Sequence, residues 1–355
     1  MIVYLSITNH GYGHAVRLAT VAAKLKQIEP NIILILATTA PHWLLQSYIQ
    51  SDFIYRYRAF DIGVIQSDSL NMDLVSTQEK LKAIEKKQES IITSEANFLK
   101  TNRVQLVIGD IPPLVSLIAQ KAELPCWMMG NFGWDFIYQP WGEDFQDSVE
   151  WIKRCYGQVD RLLRLPFHEQ MSSFKSITDF GLTRGEPRYA IEDLRETFNL
   201  VQPKERTILF TFGGLGVEAM PYQTLEKFPQ WQFITFDRLA PQMENLRVIL
   251  DPKYRPVDFM PLCARVISKP GYSSFAEALA LEVPIATLGR VGFAETPLLI
   301  EGIQNYSQHQ IINNQEFFKG NWQFLLDSPK AALSNQKLAI DGSHEIARVI
   351  LEKLG

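Results

Sequence analysis

An alternation that runs through the chain twice constrains its fold more than any other feature. Short, continuous apolar runs rich in Ile and Val stand at 2–7, 32–37, 104–109 and 126–130. Between them lie stretches with helical spacing, such as Val16, Leu18, Val21, Ala22, Leu25 and Ile28. Runs without polar alternation are strands covered on both faces, and strands alternating with amphipathic helices predict a parallel sheet. Residues 74–101 read as one long exposed helix, with Glu and Lys at helical spacings. The pattern restarts near residue 205, with strands expected at 207–212, 232–236, 246–250, 265–268 and 284–288. Residues 179–188, with two Gly and a Pro, read as a linker. The expected fold is therefore α/β: two doubly wound domains at 1–182 and 189–340, and a terminal helix within 341–355 packing back on the first.

At 355 residues the chain suits two hydrophobic cores better than one. Its net charge of -4, with no basic stripe, argues against nucleic acid as a partner but leaves room for local phosphate sites. Three widely spaced cysteines (Cys126, Cys155, Cys263) offer neither a disulfide framework nor zinc spacing, which fits a reducing, cytoplasmic setting. The apolar start, Met1 to Ile7, reads as a first strand rather than a signal peptide. No apolar run reaches the ~20 residues needed to span a bilayer, so no transmembrane segment is expected.

Open parallel sheets bind ligands at the carboxyl ends of their strands. The loop after the first strand is Asn9-His10-Gly11-Tyr12-Gly13-His14. Gly11 and Gly13 permit a tight turn and close ligand approach. His14 falls near a helix start, where free N–H groups attract anions and a neutral imidazole, the form a general base requires, is favoured. The plainer reading is a Gly-rich turn with a helix-capping His. His10 and His14 stand four apart without an HExxH pattern, so no metal site is expected. The fourth strand ends in Asp110, which would orient His14 as in a hydrolase triad, or else cap the helix after Pro112. The stretch Asn131-Phe132-Gly133-Trp134-Asp135-Phe136-Ile137-Tyr138 sets aromatics beside a carboxylate. It suits an acceptor wall built from Asn131, Trp134 and Asp135, or equally a packed loop.

In the second domain, Gly213-Gly214-Leu215-Gly216 suits a backbone approached by phosphate. The segment Lys269-Pro270-Gly271-Tyr272-Ser273-Ser274-Phe275-Ala276-Glu277 carries more information. Gly271 lets the backbone turn, Ser273 and Ser274 offer hydroxyls and N–H groups at the start of a helix over Phe275–Leu281, and Lys269 adds charge. Together these make an anion site suited to a diphosphate. Glu277, one turn on, is placed for ribose hydroxyls, and Glu295 in a third loop for those of a donor sugar. The alternative for Ser273–Glu277 is a Ser-capped helix with a capping glutamate.

These residues, in this order, resemble the two-Rossmann-domain (GT-B) glycosyltransferases. The first loop is similar to that of the lipid-II-forming N-acetylglucosaminyltransferase and to the Gly-His of plant small-molecule glucosyltransferases. In the latter the matching His deprotonates the acceptor, which implies His14 as base and Asp110 as its partner. Lys269–Glu277 is similar to their donor signature, with Lys269 where they have His. Most of the chain resembles the glycosyltransferase-like N-terminal half of plant L-arabinokinases. The carriers are His10-Gly11-Tyr12-Gly13-His14-Ala15-Val16-Arg17, Asn131–Tyr138, Lys269-Pro270-Gly271-Tyr272 and Glu295-Thr296-Pro297. No GxxxxGK[ST] phosphate loop is present, so the resemblance implies a sugar-nucleotide protein rather than an arabinose kinase.

The expectation is an inverting, metal-independent transferase with His14 and Asp110 as catalytic residues and no cofactor. The donor is expected to be a nucleotide sugar, UDP-sugar in the first instance, held by Gly213, Gly214, Lys269, Gly271, Tyr272, Ser273, Ser274, Glu277 and Glu295. A small-molecule, lipid or carbohydrate acceptor would meet His10, Gly11, Tyr12, Gly13, Asn131, Trp134 and Asp135. Two rivals share the fold: a non-catalytic sugar-nucleotide-binding module, and a sugar-nucleotide epimerase.

Overall fold

The computed structural model describes residues 1–8, 10–66, 70–213, 216 and 220–355. The first sheet is built from β1 (Ile2–Ile7), β2 (Ile33–Thr38), β3 (Ile54–Tyr57), β4 (Leu106–Asp110), β5 (Cys126–Gly130), β6 (Arg161–Arg164) and β7 (Ile177–Asp179). Their spatial order is β3-β2-β1-β4-β5-β6-β7, every pairing parallel. The second sheet comprises β8 (Thr207–Thr211), β9 (Gln232–Thr235), β10 (Leu246–Val248), β11 (Arg265–Ser268), β12 (Ile285–Leu288) and β13 (His309–Ile312). Its order is β10-β9-β8-β11-β12-β13, also parallel throughout. These are the two α/β sheets expected from the alternation.

Strands β3, β6, β7 and β13 have no counterpart among the apolar runs. β6 reads Arg-Leu-Leu-Arg, with only two apolar residues, and β7 is a three-residue edge strand. β3 and β13 are also edges, and edge strands are short and partly polar because only part of their surface is covered. The long helix Leu74–Thr101 has the expected bounds. The donor-loop helix begins three residues before the expected Phe275: it spans Tyr272–Ala280, with Gly271 at its cap. Pro270 stops β11, and the extended Gly271 lets the helix begin at once.

The strand order reverses between β1 and β4, and again between β8 and β11. At such a switch point the loops after adjacent strands diverge and leave a crevice at the carboxyl edge. In register, Ile7 lies beside Asp110 and Ser268 beside Thr211. So the first loop meets Asp110, and Lys269 meets Gly213.

The largest buried apolar cluster does not stop at the boundary between the sheets. It includes Leu18 and Val21 of the helix Gly13–Ile28, Tyr272, Phe275 and Ala276 of the donor-loop helix, and Ile346 and Ile350 of the helix Gly342–Leu354. That last helix lies along Gly13–Ile28, with Thr20 and Ser343 hydroxyls 2.9 Å apart. Residues 180–188 form no helix or strand, yet Leu182 is buried and its N–H donates to the Ala339 carbonyl at 2.8 Å. Among the described residues, no helix is long and apolar enough to cross a membrane.

Candidate active site

The two carboxyl edges face each other across a cleft of about 550 Å³. One wall carries His10 to His14, Arg17, Tyr48 and Phe132; the other carries Gly213, Lys269, Gly271 to Ser274, Glu277 and Glu295. Asn9 and Gly214 lie outside the described residues.

His14 is the second residue of the helix Gly13–Ile28, which has no side-chain cap. It is therefore not a capping His. Its Nδ1 lies 2.6 Å from Oδ1 of Asp110. Nor does Asp110 cap the helix that follows, Leu114–Ala122, whose cap is Pro113. The Asp110 carboxylate serves two partners instead. Arg17 grips it side-on, Nε to Oδ2 and Nη2 to Oδ1, both at 2.6 Å. Burial pushes the Asp110 carboxyl up, but Arg17 and His14 more than offset this and hold it below the usual range. An ionised carboxylate so close to Nδ1 assigns the proton to Nδ1 and leaves the Nε2 lone pair free. Burial lowers the His14 pKa, Asp110 opposes that, and Arg17 adds to the lowering. The net effect favours the neutral ring.

His10 sits between the domains. Its ring stacks on Phe293 of the far wall at 5.7 Å and meets Trp134 edge-on at 5.3 Å. Burial, then Arg290, His14 and Lys269, hold its pKa well below the ordinary value. Gly11 has φ +61, a left-handed turn that glycine adopts without strain.

Three residues of the second domain reach across the cleft. Ser273 donates its hydroxyl to the Gly13 carbonyl at 2.8 Å. Glu277 accepts from the Tyr48 hydroxyl at 3.1 Å and from Gly185 N–H at 3.3 Å, so it caps no helix. Burial pushes its carboxyl up to about 7, against Arg255 and these donors. Glu295 accepts from Asn131 Nδ2 at 2.8 Å, and burial raises it as well. Tyr272 turns inward: its hydroxyl accepts from Thr183 N–H at 3.3 Å, and the Arg17 guanidinium lies 5.5 Å from its ring. Lys269 lies along Gly213, where a β-carbon would come within 3.9 Å of Nζ.

The aromatic loop divides. Phe132 lines the cleft, whereas Asn131, Trp134 and Asp135 lie buried behind it. Trp134 Nε1 donates to Asp61 at 3.0 Å and to Thr8 at 3.1 Å, since a buried indole N–H needs an acceptor. Asp135 accepts from Ser173 at 2.5 Å, and burial raises its pKa. These three side chains support the wall rather than form it. Arg17 and Tyr48 escaped sequence reasoning. Arg17 had one signal: an arginine three residues after His14 on an otherwise apolar helix face. Tyr48 had none.

Two facing parallel sheets with this strand order and interdomain cleft are the GT-B architecture. No family model matches the chain. It is similar to an L-arabinokinase of Arabidopsis thaliana, 25% identical over 98% of this chain, and spans about a third (34%) of that relative's length. Among solved structures it resembles Medicago truncatula UGT71G1 complexed with UDP-glucose, with TM-score 0.61 and 14% identity, covering 100% of this chain and 98% of that one. It also resembles a Listeria monocytogenes protein described as a UDP-N-acetylglucosamine 2-epimerase, with TM-score 0.58 and 14% identity, covering 99% and 96%.

Proposed function

We propose that this chain transfers a glycosyl unit from a nucleotide sugar, in the first instance a UDP-sugar, to an acceptor hydroxyl, with inversion. The observation that carries the reading is the His14–Asp110 pair at 2.6 Å, set in the cleft wall opposite the loop of Gly271, Ser273 and Ser274. His14 Nε2 removes the acceptor proton while Asp110 holds the ring and stabilises its protonated form. The acceptor oxygen attacks the anomeric carbon as the bond to the diphosphate breaks. Charge gathering on the leaving diphosphate meets Lys269 and the free N–H groups of the helix Tyr272–Ala280. Ribose hydroxyls take the place of Tyr48 at Glu277. The reaction needs no metal in this reading, so EDTA leaves the rate unchanged; loss of activity would overturn that part of it.

The likeness to a protein described as an epimerase keeps a second reaction in view. Glu277 and Glu295 supply buried carboxylates for it. The deciding experiment incubates the chain with UDP-, GDP-, dTDP- and ADP-sugars, with and without acceptor hydroxyls. Product formed only with acceptor, and of opposite anomeric configuration, supports transfer. A donor sugar whose configuration changes without acceptor supports epimerisation. Nucleotide binding with neither reaction, insensitive to His14→Ala, supports a binding module.

A further inference from the structure

Five buried side chains form an unbroken hydrogen-bonded line across the domain boundary. It runs from Glu295 to Asn131 (2.8 Å), from Asn131 to Arg17 (2.6 Å), from Arg17 to both oxygens of Asp110 (2.6 Å each), and from Asp110 to His14 (2.6 Å). Each of the five is at most 7% exposed. The Asn131 amide can be oriented in one way only. Its oxygen accepts from Nη1, and its nitrogen donates to the carboxylate. Each link in the line thus joins a donor to an acceptor, and links satisfied in this way make a network rigid rather than costly.

Arg17 is the centre of this line. A guanidinium can bind a carboxylate through two parallel bonds and still reach a third acceptor; an ammonium cannot fix a carboxylate plane in that way. Its Nη2 also lies 2.9 Å from His14 Nδ1. Were His14 to carry its proton on Nε2, Arg17 would donate to Nδ1, and the lone pair needed for base catalysis would be lost from the cleft. Nη2 carries two N–H groups and gives one to Asp110 Oδ1, the oxygen that faces Nδ1 and competes with Arg17 for it. The tautomer of His14 therefore depends on where Arg17 holds the carboxylate.

We propose that Arg17 is a positioning residue for the transfer reaction proposed above, and rests on that reading: it fixes the Asp110 carboxylate that aims His14, and through Asn131 it joins that pair to Glu295 of the C-terminal domain. The base is then fully assembled when the two domains are docked. The charged and titratable groups around His14 are Arg17 on its own helix, Asp110 at the end of β4 and His10 in the preceding loop. From the other domain, Lys269 and Arg290 act on His10, and Glu295 and Tyr272 act on Arg17. Arg17 is the only one of them that touches both His14 and Asp110 among the described contacts.

The test is nitrogen-15 NMR of the histidine-labelled 355-residue chain, which reads the tautomer and titration of His14 whether or not transfer has been found. Wild type should show a single Nδ1–H tautomer. Arg17→Gln should raise the His14 midpoint by about one pH unit, because a neighbouring cation is lost and a carboxylate is unmasked. Arg17→Lys keeps the buried cation but loses the fork. It should leave the midpoint near wild type while mixing the tautomers, and it carries the test where the Gln variant does not fold. Asn131→Ala should lower kcat on the order of 10-fold or more, with KM for the nucleotide sugar nearly unchanged. Folded Arg17 variants with the wild-type tautomer and midpoint would overturn the proposal, as would an unchanged kcat in Asn131→Ala. If wild type binds nucleotides but transfers nothing, the function proposed above fails, while the NMR arm still decides what Arg17 does.

Discussion

The Tyr48 hydroxyl donates to Glu277 at 3.1 Å, joining the N-terminal wall of the cleft to the helix that carries the donor loop. The two residues are 229 positions apart, and both are buried. Their contact means that Glu277, proposed above for ribose hydroxyls, already has a hydroxyl partner in the other domain. In that proposal a ligand exchanges one hydroxyl for another.

Glu277 should make stability fall as pH rises. Its carboxyl is displaced by burial from 4.5 up to about 7, so the folded chain holds a proton there that the unfolded chain has released. Between those two values the folded state binds more protons, and stability is lost as pH climbs through the window. The full effect is about 3 kcal/mol. Urea unfolding of Glu277→Gln should show a gain of up to that size at pH 8 and none near pH 4.5. A Gln variant less stable than wild type at pH 8 would show that burial does not penalise the ionised carboxylate and that its pKa is not raised.

Tyr48→Phe removes a donor that favours the ionised form of Glu277. Its pH-dependent loss of stability should therefore extend to higher pH than in wild type, in the same urea series. An unchanged window would mean that the hydroxyl contributes little to holding Glu277.

His14→Ala should lower kcat by a factor on the order of 10² or more. In wild type, burial places the His14 pKa below 6.5, so the acid limb of kcat/KM should have its midpoint below that value and the base should be fully available at pH 7. Initial rates across pH 5 to 8 check both points. A near-normal rate in His14→Ala would reduce His14 to a binding or structural residue.

Gly181→Ala should destabilise by about 1–3 kcal/mol. A β-carbon there would stand 2.6 Å from the Ala339 carbonyl oxygen, a backbone atom that cannot swing aside. Segment 180–188 and the approach to the last helix are packed together at this point. Thermal unfolding reads the loss directly.

Ile346→Ala should cost about 2–5 kcal/mol, because Ile346 is fully buried where the last helix meets the helix that begins at Gly13 and carries His14. If that packing also fixes the start of the helix, the variant should lose activity at temperatures where it remains folded. Parallel denaturation and rate measurements separate the two effects.

Sequence alone was enough for the two α/β sheets, because central parallel strands must be apolar on both faces and so announce themselves as runs. It was enough for the helix 74–101 and for the order of the loops that meet at the cleft, since function in such folds gathers at strand ends. It also singled out His14, Asp110, Glu277 and Glu295, whose polar side chains break otherwise apolar or Gly-rich segments. Tertiary structure decided what those groups touch. Whether Asp110 caps a helix or serves His14 turns on the pairing of β1 with β4, strands separated by about a hundred residues. Trp134 and Asp135 were legible as a cluster, but the side of the wall they occupy depends on Asp61, Thr8 and Ser173, which no local pattern ties to them. Tyr48 carries no local signal, and the signal of Arg17 is a single charge on an apolar face. Their roles exist only because folding brings distant carboxylates to them, and in the low dielectric of a buried interface those partners fix both geometry and charge.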